Sequence, residues 1–404
     1  MAKSVVAFSL NEFDPTYTRV LLNGAFFPSY DFTDLGTLEL IQGDAVFVYS
    51  SVKSLGNLTT INGSADFEKS IVENLDKLTT ISGNVSFFNS QVKDLGNLTT
   101  IGGDANFIRS KIQNLGNLTT IGGSAEFSYA DFSNLGKLEV IRGNADFREN
   151  FYLKDLGNLT TINGNADFSV SQVEDLGNLT EIGGDADFRD SKIQNLGNLT
   201  TIGGSANFRD SQVKDLGNLT TILGNAYFRD SQVKDLGNLT TILDNAYFRD
   251  SQIESLGNLT EISGDADFSD SKIQNLGNLT TIGGNSVFRN SQVEDLGNLT
   301  TIGGYANFVR SKIQDLGSLT TIDGDANFRN SQVENLGNLT TIGGDADFRD
   351  SQVKDLGNLT TILGSAYFRD SQIESLGNLT TIGLGVYFGE RTDLEAEWEK
   401  RKNK

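Results

Sequence analysis

The residue types that most often perform catalysis are missing from this chain of 404 residues. It contains neither His nor Cys, which removes the imidazole base, the thiolate nucleophile and the usual zinc ligands. Carboxylates are plentiful, but pairs such as Asp185 and Asp187 recur along the sequence instead of converging once. Because a catalytic site is a single irregular group of residues, the sequence predicts a protein that is not an enzyme and uses no cofactor.

The acidic residues could instead bind a cation. The segment Gly343-Gly-Asp-Ala-Asp347 resembles calcium-binding β-roll repeats, but it lacks their Gly-x-Asp continuation. Columns of carboxylates are explained more simply as a solvated face. No metal site is predicted.

The net charge limits the kinds of partner. There are 32 basic and 53 acidic residues, which give a formal charge of −21. Such a field repels nucleic acids and anionic membranes, so neither is an expected partner, whereas a basic protein is. No apolar run is long enough to cross a bilayer, and residues 1–10 lack the regions of a signal peptide. A cytoplasmic location is expected, and an extracellular one through unconventional export stays open.

A 20-residue unit recurs about nineteen times between Leu21 and Phe388, and residues 342–361 are a representative copy. A fixed period of this length is typical of a solenoid, in which each unit buries its apolar side chains by stacking on its neighbours. No Pro-rich or Ser-rich linker interrupts the repeats. The predicted organisation is an N-terminal cap at 1–20, one repeat solenoid at 21–388, and a C-terminal capping helix with a basic tail at 389–404.

The apolar positions within one repeat predict how a turn is built. They are Ile101, Ala105, Phe107, Ile112, Leu115 and Leu118. Only Ala105 and Phe107 have the spacing of a strand, so we predict a short strand at 104–108 with both side chains pointing inward. The spacings of three indicate a chain that turns corners. The predicted fold class is all-β: a right-handed parallel β-solenoid with one short strand per 20-residue turn and a cap at each end.

Three further features of the repeat are expected from its residue types. The Phe residues should form a continuous column of stacked rings. Gly96 and Gly103 should lie where a turn requires positive φ or a close backbone approach. Ser110 lies between two inward positions, so a ladder of Ser hydroxyls bonded to adjacent turns is predicted.

The inward pattern is similar to a known repeat family. It consists of Ala346, Phe348, Ser351, Val353, Leu356, Leu359 and Ile362. This pattern resembles the bacterial leucine-rich repeat over roughly nine-tenths of the chain, although Ala and Phe replace the strand Leu pair and Ser replaces the ladder Asn. The segment 346–350 also resembles the pentapeptide repeat. Two of the four pentads in each turn would place residues such as Asn338 and Gly343 inward, so the leucine-rich repeat is favoured.

One group of candidate binding residues combines Leu, Tyr and Arg. A Leu in the corner before the strand occurs together with a Tyr at the outward strand position. These pairs are Leu223 with Tyr227, Leu243 with Tyr247, Leu363 with Tyr367, and the near copy Leu384 with Tyr387. Arg229 and Arg249 flank the first two tyrosines, and Tyr and Arg are enriched at interface hot spots. The alternative is duplication of one repeat variant, with Leu covering Tyr.

A second group of candidates lies where the repeat is irregular. Tyr129, Phe132, Phe151 and Tyr152 gather where Ala130 occupies a Ser position and one residue is inserted. The insertion should bulge the turn. The irregular turn is either a second binding site or a change without function that restores the register of the repeats.

The sequence predicts a scaffold that binds a protein partner through its strand-lined acidic and aromatic surface. A self-assembling rod, and therefore a homo-oligomer, is the second class. A DNA-mimicking rod, which the pentapeptide resemblance implies, and ice binding by columns such as Thr99-Thr100 are less favoured. The objection to ice binding is that adjacent residues of a strand face opposite sides.

Overall fold

The computed structural model describes residues 6–7, 10–27 and 32–402. Contacts divide the chain into two compact units, residues 1–204 (the first unit) and residues 205–404 (the second unit). Each unit is a parallel β-solenoid with turns of about twenty residues, as predicted. Val5 and Phe8 of the predicted N-terminal cap and Lys404 of the predicted basic tail lie outside the described residues.

Each turn carries two very short strands on different sides. In one turn these are Thr100–Ile101 and Ala105–Asn106. The second is the strand expected from the spacing, and Ala105 and Phe107 are buried as predicted. The first was not predicted, because a strand of two residues places only Ile101 inward and gives no alternation to detect. We call the two sheets formed by these strands the Thr–Ile sheet and the Ala sheet.

From Val20–Leu21 onward the strands of the first unit alternate between the two sheets. Its Thr–Ile sheet contains Val6–Ala7, Val20–Leu21, Leu40–Ile41, Thr60–Ile61, Thr80–Ile81, Thr100–Ile101, Thr120–Ile121, Val140–Ile141, Thr161–Ile162, Glu181–Ile182 and Thr201–Ile202. Its Ala sheet contains Ala25–Phe26, Ala45–Val46, Ala65–Asp66, Val85–Ser86, Ala105–Asn106, Ala125–Glu126, Ala145–Asp146, Ala166–Asp167 and Ala186–Asp187. A short 3-10 helix, Leu10–Glu12, precedes the first complete turn.

The second unit has the same arrangement and ends in a helix. Its Thr–Ile sheet contains Thr221–Ile222, Thr241–Ile242, Glu261–Ile262, Thr281–Ile282, Thr301–Ile302, Thr321–Ile322, Thr341–Ile342, Thr361–Ile362 and Thr381–Ile382. Its Ala sheet contains Ala206–Asn207, Ala226–Tyr227, Ala246–Tyr247, Ala266–Asp267, Ser286–Val287, Ala306–Asn307, Ala326–Asn327, Ala346–Asp347, Ala366–Tyr367 and Val386–Tyr387. The helix α1 spans Thr392–Lys402.

Inside each unit the Phe residues form the predicted column. In the first unit successive ring centroids from Phe27 to Phe188 lie 4.8–5.6 Å apart. In the second unit those from Phe208 to Phe388 lie 5.1–5.6 Å apart. These are the separations of offset-stacked aromatic rings. The Phe column, with the Leu and Ile side chains around it, forms the core of each unit.

Both ends of the chain carry covering elements. Phe13 lies edge-on to Phe27, with ring centroids 6.4 Å apart. At the other end Leu394 and Trp398 of α1 are buried. Arg391 fixes the start of this helix, because its Nη2 lies 2.6 Å from Asp393 and its Nη1 donates to the carbonyl of Ser371 at 2.7 Å. The hydrogen bond from Arg391 lowers the pKa of Asp393 to about 2.

Glycine and a preceding polar residue form one corner of the turn together. Gly96 has φ of +54°, a conformation that favours glycine. The Oδ1 atom of Asp94 accepts a hydrogen bond from the Gly96 N–H at 2.6 Å. Gly103 satisfies the other expectation, close backbone approach, because a Cβ there would lie 2.1 Å from the Oδ1 of Asn84 in the neighbouring turn.

The predicted ladder of Ser hydroxyls is wrong. Ser110 is buried, and its backbone N–H donates to the carbonyl of Phe107 at 3.0 Å. Its hydroxyl, like those of the equivalent Ser residues in most described turns, has no hydrogen-bond partner. Ala130, which has no hydroxyl, occupies the same position in one turn.

The residue before this Ser has positive φ in almost every described turn. Asp and Asn are the most frequent residues there, as at Asp190 with φ of 53°. They tolerate the left-handed region better than other non-glycine residues. Among the other residues at this position, Val170 should have the highest conformational energy, because it is β-branched and has φ of 57°.

We predict that Val170→Asn raises the free energy of unfolding by about 1 kcal/mol, because it relieves a left-handed β-branched residue at an exposed site. Asp190→Asn is the matched control and should change stability little. Urea unfolding of both variants would measure the difference. A Val170→Asn protein no more stable than the parent would show that the surroundings, not φ, set the cost.

We predict that Phe228→Ala lowers the free energy of unfolding by about 3–5 kcal/mol through lost burial and a cavity. Phe388→Ala should cost less, because Phe388 is 8% exposed and stacks on one ring only among the described residues. Denaturant unfolding would compare the two. A loss below about 1 kcal/mol at Phe228 would contradict the stabilising role of the column.

Candidate functional site

The outward polar columns of the Ala sheet have structural roles that the sequence did not reveal. In most turns the residue before the Ala accepts a hydrogen bond from the same position one turn later, as where the Asp104 N–H donates to Asn84 Oδ1 at 2.8 Å. Where the residue after the Ala is Asp or Asn, it closes a turn, as where the Ile108 N–H donates to Asn106 Oδ1 at 2.9 Å. Asp, Asn and Ser recur there because their short side chains can accept these backbone bonds.

Tyrosine replaces that turn-closing residue in four turns of the second unit. The four are Tyr227, Tyr247, Tyr367 and Tyr387. A tyrosine ring cannot close the turn with a carboxylate or amide oxygen, so these substitutions give up a local stabilising bond. What replaces it is contact between aromatic rings.

The first pair of tyrosines forms a stack with an arginine. The rings of Tyr227 and Tyr247 are parallel to within 4°, with centroids 5.0 Å apart. The guanidinium of Arg209 lies 4.4 Å from the centroid of Tyr227, within the range of a cation–π interaction. Partial burial raises the pKa of Tyr247, and neighbouring Tyr227 and Asp265 act in the same direction.

The second pair repeats this arrangement. The rings of Tyr367 and Tyr387 lie 4.9 Å apart at an interplanar angle of 6°, and the guanidinium of Arg349 lies 5.2 Å from Tyr367. Arg349 is also held by Asp347, with its Nη2 at 2.6 Å from Oδ2. Tyr387 is 54% exposed and lines a surface groove of about 430 Å³ with Arg369. We call both groups Arg–Tyr–Tyr stacks.

The predicted arginines contact acids, not the tyrosines. Arg229 lies 3.3 Å from Asp230 and 3.8 Å from Asp250, and Arg249 lies 3.6 Å from Asp250. Both arginines are exposed, so these ion pairs add little stability. Proximity in sequence pointed to Arg229 and Arg249, two residues after each Tyr, whereas the contacting guanidinium comes from the preceding turn, eighteen residues before its Tyr at both Arg209 and Arg349.

The predicted leucines are exposed but belong to another part of the turn. Leu223, Leu243 and Leu363 are 44%, 46% and 55% exposed. They directly follow strands of the Thr–Ile sheet, whereas the tyrosines lie in the Ala sheet. Leu384 is the most exposed, at 76%.

In the first unit, three of the four predicted aromatic residues reach the surface. Tyr129, Phe151 and Tyr152 are 39%, 51% and 55% exposed. The rings of Tyr129 and Phe151 lie 6.0 Å apart, and the guanidinium of Arg109 lies 5.5 Å from Tyr129. These side chains form a second aromatic surface patch.

Phe132 does not belong to this patch, and its prediction as a binding residue is wrong. The side chain is fully buried and lies edge-on to Phe127 and Phe107, with centroids 5.5 and 6.2 Å away. It occupies the inward position that Val or Ile fills in other turns, such as Ile112. The period itself places Phe132 inward, twenty residues after Ile112, and its membership of the aromatic group reflects only its proximity in sequence to the irregular residues.

The inserted residue is held by a buried Asn. Asn150 occupies the position of the buried Ser, and its Nδ2 donates to the Phe127 carbonyl at 2.7 Å. Its Oδ1 accepts from the backbone N–H groups of Tyr152 and Leu153 at 3.1 and 2.8 Å. The strands on either side keep their register, so the insertion is confined to the return segment.

The first unit also has an open groove of about 610 Å³ over its Ala sheet. Small and acidic residues line it between Asp44 and Glu126. Two of its carboxylates, Asp44 and Asp104, accept backbone N–H groups of the next turn at 2.7 Å. One oxygen of each of these two carboxylates is therefore used in a hydrogen bond that stabilises the fold.

Neither a metal centre nor a membrane span emerges from the described ranges. Within residues 6–7, 10–27 and 32–402, no three His, Cys, Asp or Glu side chains cluster in a way that could hold a metal ion. No helix in this part of the chain is long and apolar enough to cross a membrane.

We predict that Asn150→Ala lowers the free energy of unfolding by about 1–3 kcal/mol, because it leaves the buried N–H of Leu153 without its acceptor. Ser171→Ala is the matched control: it changes the same position one turn later, where the buried hydroxyl has no partner, and should cost little. Thermal and urea unfolding would separate the two. Equal losses would contradict the special role of Asn150.

Comparison with known proteins gives this chain no relative. No protein family, no curated protein and no solved structure matches it.

Proposed function

We propose that this protein is a non-enzymatic repeat scaffold that binds a protein partner through the Ala sheet of the second unit. The observation that carries the proposal is the pair of Arg–Tyr–Tyr stacks. In each, a residue type that closes the turn elsewhere is replaced by a large amphipathic ring. Tyr and Arg are the residue types most enriched at the energetic centres of protein interfaces.

The stacks are suited to binding because their rings are already ordered. Tyr227 and Tyr247 hold each other at 5.0 Å, and Tyr367 and Tyr387 at 4.9 Å. A side chain that is fixed before binding loses little conformational entropy when a partner covers it. Rigid aromatic groups with a polar hydroxyl can also bury area and donate a hydrogen bond.

The spacing of the two stacks fits one partner. Tyr247 and Tyr367 are six turns apart in the second unit, or about 29 Å at the usual separation of parallel strands. An interface of standard size, about 800 Å² on each partner, can span that distance. Asp267 and Asp347 lie in the same column between the stacks. Asp347 is already paired with Arg349, so the preference for a partner with a basic surface comes mainly from the chain charge of −21.

We also propose that the repeats are related to leucine-rich repeats. The support is the inward Leu pair of each turn, such as Leu115 and Leu118, and the short strand that lines the outer surface. If the repeats are related in this way, the Ala sheet is the surface on which a protein partner is expected to bind. The Ala and Phe at the strand positions are the main departure.

Self-association is the second candidate, and the last turn of the second unit supports it. The strand Val386–Tyr387 pairs with only one neighbour among the described residues. Leu384 and Tyr387 beside it are 76% and 54% exposed. An unpaired strand edge next to exposed apolar side chains is a site where a second chain can add.

We predict that Tyr227→Ser with Tyr247→Ser weakens partner binding by about 2 kcal/mol or more while changing the melting temperature little. Affinity capture at low and high salt would identify the partner, and titration would give the Kd. Asn307→Ser with Asn327→Ser alters the same column without removing a ring and should retain affinity.

The outcomes of this experiment separate the two candidates. Equal affinity of the tyrosine variant and the control would rule out the stack as the binding site. Concentration-dependent sedimentation of the parent with no captured partner would instead favour the self-associating scaffold.

A further inference from the structure

A two-residue Thr column on the Thr–Ile sheet of the second unit is not used by the proposed function. Each turn places two residues directly before the buried Ile, and the first is always Thr. The second is Thr in every turn but one, where it is Glu261. The pairs are 220–221, 240–241, 260–261, 280–281, 300–301, 320–321, 340–341, 360–361 and 380–381.

The two Thr side chains of a turn lie side by side, which corrects the expectation from strand alternation. The Oγ1 atoms of Thr240 and Thr241 are 3.4 Å apart. The same pair of atoms is 3.3–3.5 Å apart in three other turns, at residues 220–221, 340–341 and 360–361. The first Thr precedes the strand instead of belonging to it, so the rule that neighbours face opposite sides does not apply.

Hydrogen bonds along the column fix the orientation of the first Thr. The Thr240 hydroxyl donates to the carbonyl of Thr220 at 3.0 Å. The equivalent bond recurs in each later turn, up to Thr380, at 3.0–3.3 Å. Each first Thr from Thr240 onward therefore has its side chain in the same orientation, with the hydroxyl directed along the column. The array repeats in side-chain orientation as well as in residue type.

The register of the sheet makes the array regular. Every strand of the second unit pairs with the next through equivalent residues, from Thr221 with Thr241 to Thr361 with Thr381, without a shift. Parallel strands lie about 4.8 Å apart, so hydroxyl and methyl groups recur at that spacing over nine turns.

This face is also depleted of charge. Among the Thr pairs and the two residues after each Ile, residues 220–384 contain only three charged side chains, Asp244, Glu261 and Asp323, and no Lys or Arg. The depletion contrasts with the net charge of −21 and with the Arg and Asp residues over the Ala sheet. Part of the depletion is imposed by packing, because a Cβ at Gly positions such as Gly283 and Gly303 would lie within 2.2 Å of a backbone oxygen of the preceding turn, whereas the Thr pairs have no such restriction.

A ligand that matches such a surface must itself be periodic at about one strand spacing. The oxygen lattice of ice has a repeat close to this distance. The first Thr hydroxyls, which already donate along the column, can accept from lattice water, the second Thr hydroxyls can donate or accept, and the methyl groups fill the space between. A crystalline polysaccharide would call for flat aromatic rings, and none occurs among the positions of this face. We propose that the Thr array of the second unit binds ice.

The test uses the full chain and two matched double variants. Thr301→Glu with Thr341→Glu places charge in the array, and Glu261 shows that the fold accepts Glu there. Asn307→Glu with Asn327→Glu adds the same charge to the Ala sheet, where Glu126 occupies the equivalent position in the first unit. Circular dichroism would verify that both variants remain folded.

Thermal hysteresis and the shape of growing ice crystals are the measurements. The parent and the Ala-sheet variant should both separate the freezing point from the melting point and facet the crystals. The array variant should lose most of this activity. A parent without effect on ice growth, or an array variant as active as its control, would overturn the proposal. Capture of a protein partner uses the other sheet and should be unchanged in the array variant.

Discussion

The pairing of each turn with the next, one equivalent residue to another, is the constraint on which the rest of the structure depends. Because the step is twenty residues, each side chain faces copies of itself at one strand spacing. Inside, this favours groups that stack on themselves, and the Phe column does so. Outside, it penalises like charges, and residues such as Arg229 offset the penalty by contacting acids in their own and the next turn.

The same constraint reduces the surface that is free for recognition. Most outward Asp and Asn side chains accept backbone N–H groups, either one turn on, as at Asn84, or two residues on, as at Asn106. An acidic composition therefore reflects the building of corners at least as much as a choice of partner. The informative positions are those where the corner residue is given up, as at Tyr227 and Tyr247.

Periodicity was sufficient to predict the features that repeat and point inward. The Phe column, the strand at Ala105 and the terminal helix with Leu394 and Trp398 buried all follow from apolar spacing. Features that depend on where a side chain ends could not be predicted. An example is the contact of the Arg209 guanidinium with the ring of Tyr227 in the next turn. The burial of Phe132 does follow from the period, because it lies twenty residues after the inward Ile112 and before the insertion, whereas the unpaired Ser hydroxyls leave no sign in the sequence.

The two proposed surfaces require different amounts of repetition, and the sequence of the second unit differs accordingly. An aromatic hot spot needs only two adjacent copies, because its energy is local, and the Tyr residues occur in pairs separated by other side chains. A lattice-matching array gains from every added turn, and the first Thr position is filled without exception from Thr220 to Thr380. Duplication of a repeat would copy both features equally. The first Thr is retained where the Tyr column varies, which fits its two roles: the hydroxyl bond to the preceding turn within the fold and the proposed array.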